Sequence, residues 1–133
     1  MNFKIYIVGK KIDGFYQEAI QEYQKRLSRY CKINYSFVKN EEQLAKKISN
    51  KTYIINISPS GQEVSSEELA QKINDWAVSG ISDITIINSS PKIPTQEHLV
   101  ISSMEMDPGL MTTIIFEQIY RSYRILNNQA YHK

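Results

Sequence analysis

The last four residues of the 133-residue chain, Ala130-Tyr131-His132-Lys133, set a phenol ring, a group that titrates near neutrality and a cation side by side. Such a set can stack on a nucleobase, exchange a proton with it and hold its phosphate. Arg124, on the segment just upstream, projects toward this tail. A frayed terminus would carry the same residues idly, so the tail alone leaves both readings open. Other chemistries find no residues to perform them. There is no G-x-G-x-x-G after the first strand-like stretch and no G-x-x-x-x-G-K-[ST] anywhere, which leaves dinucleotide and P-loop sites unsupported. His98 and His132 are the only histidines, and neither has a zinc-binding spacing. A serine-hydrolase G-x-S-x-G is absent. Cys31, the only cysteine, lacks a basic neighbour motif and reads as a buried or idle thiol rather than a nucleophile. The carboxylate pairs Glu41-Glu42 and Glu67-Glu68 sit at helix starts, where the helix dipole accounts for them.

The elements that must position these groups are legible from hydrophobic period and punctuation. Residues 3–8 form a β-branched and aromatic strand ended by Gly9. Phe15, Ala19, Tyr23, Leu27 and Tyr30 recur at helical spacing, with Lys25, Arg26, Arg29 and Lys32 on the other side. Residues 33–38 make a second strand. Residues 41–49 make a short helix with Leu44, Ala45 and Ile48 inward. Residues 53–57 are a buried strand, closed by Ser58-Pro59-Ser60-Gly61. Ser65 and Glu68 form a capping box that opens a helix through Leu69, Ile73, Trp76 and Ala77, stopping near Gly80. Strands follow at 84–87 and 99–101, separated by Asn88-Ser89-Ser90-Pro91. Asp107-Pro108-Gly109 opens a last helix that runs to about Asn127. One stripe of it holds Met111, Ile115, Ile119 and Leu126, and a second holds Phe116, Tyr120 and Tyr123. A surface helix needs one apolar stripe; two imply burial in its own domain or contact with another subunit as well. Strands alternating with helices, the middle ones apolar without alternation, predict a single α/β domain over 1–133 with a mostly parallel sheet covered on both faces.

Composition sets further limits. A hydrophobic fraction of 41% and a charged fraction of 23% are ordinary for a soluble domain. The start shows no signal-peptide layout and no apolar run spans a bilayer, so a cytoplasmic protein is expected. Net charge is only +2, but it is uneven. Residues 1–39 carry eight Lys/Arg against three Asp/Glu, residues 40–107 five against ten, and residues 108–133 three against one. Basic ends around an acidic middle can present one face to a phosphate backbone, or they are an unevenly charged solvated surface.

Five strings, in this order, resemble the RlmH family of SPOUT methyltransferases. They are Val8-Gly9-Lys10; Glu22-Tyr23 with Arg26-Leu27; Gly61 with Ser65-Ser66-Glu67; Phe116-Glu117-Gln118-Ile119-Tyr120-Arg121; and Ala130-Tyr131-His132-Lys133. The resemblance implies an α/β fold whose C-terminal part threads a trefoil knot, an exception to the unknotted rule. It also implies a homodimer that uses S-adenosylmethionine and no metal or membrane. Carried over by position, the cofactor loops supply Ile57, Ser58 and Gly61, then Ser89 and Ser90, then Ile101, Ser102, Ser103, Met104, Glu105 and Met106. The implied reaction methylates N3 of a pseudouridine in large-subunit (23S) ribosomal RNA, with the RNA or the ribosome as partner. His132 is then the proton acceptor, with Tyr131 and Arg124 orienting the base or its phosphate, and Lys10, Lys11, Lys25, Arg26, Arg29 and Lys133 holding RNA, the two lysines near the helix face. This sequence departs from the family's pattern in three places. Ser89-Ser90-Pro91 stands where the family has a paired-glycine turn, Asp107-Pro108-Gly109 replaces a proline-histidine segment, and the chain is shorter than typical members. A second reading is therefore a paralogue that kept the dimer and RNA face and binds RNA or a partner without cofactor or methyl transfer.

Overall fold

Every strand of this chain runs in the same direction, so each must be reached by a crossover from the far end of the sheet. The computed structural model describes residues 1–88 and 92–131. Along them run β1 (Asn2–Val8), α1 (Gly14–Leu27), β2 (Lys32–Val38), α2 (Glu41–Lys47), β3 (Tyr53–Glu63), α3 (Ser66–Val78), β4 (Asp83–Asn88), β5 (Glu97–Val100) and α4 (Pro108–Leu126). The sheet order is β2-β1-β4-β3-β5, parallel throughout. The expected α/β class with a parallel sheet is what is observed.

The period-2 alternation of a strand divides the side chains between two faces. Phe3, Ile5, Ile7, Ile55, Ile57, Ile84 and Ile86 join the main core, with Ile20 and Leu27 of α1, Ile73 and Trp76 of α3, and Ile115, Phe116 and Ile119 of α4. Three helices therefore cover one face. Tyr6, Val38 and Ile87 point to the other, where Leu44 of the short α2 packs on them. Covering on both faces is as the sequence implies, but it is unequal.

Caps set the helix starts. Ser65 Oγ accepts from the Glu68 N–H at 3.1 Å, while Glu68 Oε1 accepts from the Ser65 N–H at 3.0 Å, completing the expected capping box. Asp107 Oδ1 accepts from Gly109 at the start of α4, and Pro108 occupies its first position. A side chain at Gly109 would put its Cβ 2.4 Å from the Tyr16 ring, so this glycine lets α1 and α4 approach.

Several expectations are corrected. Phe15 is 62% exposed, because its turn of α1 extends past the edge of α4 and its ring rests on Tyr16 instead. Ala45 and Ala77 face solvent, and α2 ends at Lys47 with Ile48 already extended. β3 runs past residue 57 to Glu63 because it resumes pairing with β5 after an irregularity, and β5 spans 97–100 rather than 99–101. The second stripe of α4 is taken up within the chain. Phe116 meets Tyr35 of β2, Tyr120 meets Tyr23 of α1, and Tyr123 stacks on Tyr30, just past the end of α1.

Candidate active site

The cofactor loops expected at 57–61 and 101–106 meet Asn88, the last residue of β4, at the C-terminal ends of β3 and β4, where ligands bind in open parallel sheets. They enclose an open cleft of about 200 Å³ lined by Ile57, Ser58, Pro59, Asn88, Met104, Glu105, Met106 and Met111. The first wall comes from the irregularity in β3. Ile57 and Gln62 both pair with Leu99, so residues 58–61 stand out of the sheet. Ser58 Oγ donates to the Ser60 carbonyl at 2.6 Å and holds that turn. Gly61 closes it at φ +146°, with the site of a Cβ only 3.0 Å from the His98 carbonyl oxygen, and a glycine is needed there for both reasons. In the third wall, Ser102 Oγ accepts from the Met104 N–H at 3.0 Å, a turn that presents Met104, Glu105 and Met106.

Of the cofactor residues expected from sequence, Ile57, Ser58, Met104, Glu105 and Met106 line the cleft. Gly61 and Ser102 shape it from behind. Ser103 is exposed outside it, and Ile101 packs against the core, because the chain is still leaving β5 there. Ser89 and Ser90 lie outside the described residues. Pro59 and Met111 were not singled out, and Asn88 only as a loop boundary. Met111 carries the spacing of a core residue, which it also is, so its type gave no signal of a second role.

The tail docks against its own chain. Tyr131 lies on the outer side of α4, its hydroxyl donating to Glu117 Oε2 at 3.1 Å. The Arg121 guanidinium sits 4.8 Å over its ring, and Tyr120 meets that ring edge-on at 5.0 Å. Arg121 also pairs with Glu117 at 3.1 Å, in a half-buried position rather than on the open surface. Glu117 Oε1 accepts from Gln118, whose own oxygen accepts from Ser66 Oγ of α3. Burial, then the Tyr23 hydroxyl and Glu117 beside it, push the Tyr131 hydroxyl well above its ordinary value, so it stays a hydrogen-bond donor. Arg124 donates to the Ala130 carbonyl at 2.8 Å and to the Tyr30 hydroxyl at 3.3 Å. The Tyr30 hydroxyl in turn donates to Gln129. Arg124 thus orients the tail backbone. The other two C-terminal residues singled out, His132 and Lys133, lie outside the described residues.

The basic residues fall into two groups. Lys25, Arg26 and Arg29 belong to the far end of α1, where Arg26 pairs with Glu22 at 3.1 Å and reaches over Tyr23 and Tyr120, and Arg29 lies 5.2 Å from the centre of the Tyr30 ring. Lys10 and Lys11 precede that helix, about 20 Å away along its axis, so they are not beside the other three. Cys31 is half-buried and its thiol is pushed up to about 11, first by burial, which leaves it a poor nucleophile. Among the described residues no cluster of His, Cys, Asp and Glu is placed to hold a metal ion, and no helix is long and apolar enough to cross a membrane.

A parallel α/β sheet with a loop-built cleft at its carboxyl edge and a docked C-terminal tail fits one class of enzyme. Residues 1–132 match the family described as "Predicted SPOUT methyltransferase". The chain belongs to that family, in the branch whose curated members are named ribosomal RNA large subunit methyltransferase H. It is 52% identical to "Ribosomal RNA large subunit methyltransferase H 1" of Thermoanaerobacter sp. (strain X514), over 133 residues that cover all of both chains. It is 37% identical to a putative ribosomal RNA large subunit methyltransferase H of Methanococcus maripaludis and 31% to the Clostridium tetani protein, each over 159 aligned positions and the whole of both chains. The short length is therefore shared with the Thermoanaerobacter relative.

Proposed function

We propose that this methyltransferase transfers the methyl group of S-adenosylmethionine to N3 of a pseudouridine in large-subunit ribosomal RNA, as a cytoplasmic homodimer. The observation that carries the reading is the meeting of the 57–61 and 101–106 loops with Asn88 in one cleft at the carboxyl edge of β3 and β4. The cleft's residues suit the cofactor. Ile57, Met104, Met106 and Met111 offer an apolar wall for a purine, and Ser58, Asn88 and Glu105 offer polar groups for hydroxyls and an amine. When bound, the cofactor supplies an activated methyl on a sulfonium, so the hard bond chemistry is its own. The protein's part is to align the base nitrogen and to take its proton. In this proposal His132 takes that proton as a neutral imidazole, and Tyr131, the residue before it, is held by Glu117, Arg121 and Tyr120.

Cleft and tail lie apart in a single chain. Met111 faces inward, whereas Glu117, six residues on, is turned to another side and about 9 Å further along α4. The body of the helix, about 10 Å across, stands between them. A second copy that brings its tail to the first copy's cleft completes the site. Met104 (74% exposed) and Leu110 (38%) present apolar surface at the rim where such a copy would sit. The knot implied by the family belongs to this proposal as well.

Melting temperature with and without S-adenosylmethionine tests the reading. Ligand at about 100 times its dissociation constant adds roughly 2.7 kcal/mol, several degrees for a chain of this size. Methyl transfer to unmodified ribosomes, lost in His132→Ala, should accompany the shift. No shift at millimolar cofactor, together with salt-sensitive RNA binding, would instead identify a paralogue that binds RNA without the reaction.

A further inference from the structure

The carboxyl ends of β1 and β2 form a second recess that neither the cleft nor the tail uses. Gly9, at φ +93°, turns the chain out of β1 and donates its N–H to the Val38 carbonyl at 2.8 Å. That turn lays Lys10 and Lys11 over the end of β2. Lys39 follows Val38 directly, and its N–H donates to Gln43 Oε1 at 2.8 Å. Lys47 comes one turn further along α2 and faces the same way. The four lysines, all exposed, line a groove of about 310 Å³ with Phe37 and Val38 in its wall. Among the described residues no carboxylate lines the groove and none of the four lysines is in an ion pair. Four cations drawn from three elements, with no internal counter-charge, concentrate a positive potential that a polyanion relieves.

The groove's position says which polyanion. β1 lies beside β4 in the sheet, with Ile7 in register with Asn88, and Asn88 lines the cofactor cleft. Neighbouring strands are about 4.8 Å apart, so the groove lies one to two strands, about 5–10 Å, from the cleft. A nucleic-acid strand whose base enters the cleft must run its adjoining phosphates along this edge. Lysine is a compact point charge without the planar fork that reads a base edge, so the groove positions a backbone and reads no sequence.

We propose that Lys10, Lys11, Lys39 and Lys47 form a track for the phosphodiester backbone of the RNA strand next to the methylated nucleotide. The proposal rests on the RNA-methyltransferase reading above and adds Lys39 and Lys47 to the substrate site. It places substrate contacts on the β1–β2 half of the sheet edge, outside the cofactor cleft.

The test measures binding of a labelled single-stranded RNA of mixed sequence against salt concentration. It compares the full wild-type chain with the double variants Lys39→Gln/Lys47→Gln and Lys46→Gln/Lys51→Gln, which remove equal charge. Melting temperatures near that of the wild type verify that both fold. The groove variant should lower the salt slope by about 1.4, at roughly 0.7 per lost phosphate contact, and weaken binding on the order of tenfold at 0.1 M salt. The second variant should keep the wild-type slope. Equal loss in both variants, or an unchanged slope in Lys39→Gln/Lys47→Gln, overturns the track. So does a groove variant that becomes monomeric, since the groove would then hold a second copy. Methyl transfer to ribosomes separates the two readings. Activity with a wild-type KM in the groove variant removes the track and keeps the reaction. Absent transfer in every chain, with RNA binding lost only in the groove variant, removes the reaction and keeps the track.

Discussion

The two ends of α4 are built on opposite principles. At its start, the cleft is walled by loops shaped by short local turns, Ser58 to Ser60 and Ser102 to Met104, and by a glycine pressed on His98. Three methionines line it, and methionine adapts its shape to what it meets. Further along, Glu117, Arg121, Tyr120, Tyr23 and Tyr131 fix one another through an ion pair, a hydroxyl bond, a guanidinium over a ring and tilted and edge-on ring contacts. Adaptable walls suit the proposed admission and release of a cofactor, and a network that over-determines the tail suits its proposed part in proton transfer.

Both regions lean on the same buried wall, and removing it is the largest perturbation expected. Phe116 is fully buried and meets Tyr35 at 6.2 Å. Phe116→Ala should cost about 3–5 kcal/mol in urea unfolding and weaken both regions together. The next change breaks one region alone. Met106→Arg places a cation in the cleft against a sulfonium, and should abolish the several-degree stabilisation by S-adenosylmethionine while tail-dependent RNA binding stays. Its counterpart is Glu117→Gln, which removes the ion pair with Arg121 and the charged acceptor of Tyr131. It should cost about 1–2 kcal/mol, lower methyl transfer at least tenfold by an order-of-magnitude estimate, and leave the cofactor shift intact.

The smallest effect is an alkaline pH dependence, shared between the tail side with its neighbouring core and Tyr53 of β3, which burial and then Glu97 push up to about 12. Burial is the main cause that raises Cys31 from 9.0 to about 11 and also pushes Tyr123 and Tyr131 above 10.0. Groups raised on folding contribute stability that is whole below their unfolded values and is lost as pH climbs past them. Melting temperature should therefore stay level to about pH 9 and fall above it. Tyr131→Phe should make that fall shallower, and an unchanged alkaline slope would count against the docked tail.

Much of this was legible in the sequence because it is local. Ser65 and Glu68 announce a capping box three residues apart, and the apolar runs at 53–57 and 84–87 announce buried parallel strands. The strings 116–121 and 130–133 marked the tail site before any contact was known. What stayed hidden depends on pairing across the chain. The outward turn at 58–61 exists because Ile57 and Gln62 share Leu99 as a partner. Lys39 and Lys47 look like scattered surface charge until the sheet order brings β2 beside β1. Phe15 has the right type and spacing for a core position, and its exposure reflects where α4 ends. The second stripe of α4 suits a subunit interface as well as it suits α1, and within the chain its tyrosines meet Tyr23 of α1 and Tyr30 just beyond it.

In the proposed dimer one copy's tail serves another copy's cleft. Mixing two inactive chains tests it directly: Met106→Arg, with a blocked cleft and an intact tail, and His132→Ala, with an intact cleft and no proton acceptor. After subunit exchange, half of the dimers are mixed and each has one complete site, so methyl transfer should return to about a quarter of the wild-type rate. No recovery in a mixture that demonstrably exchanges subunits would place cleft and tail in the same chain and contradict the account.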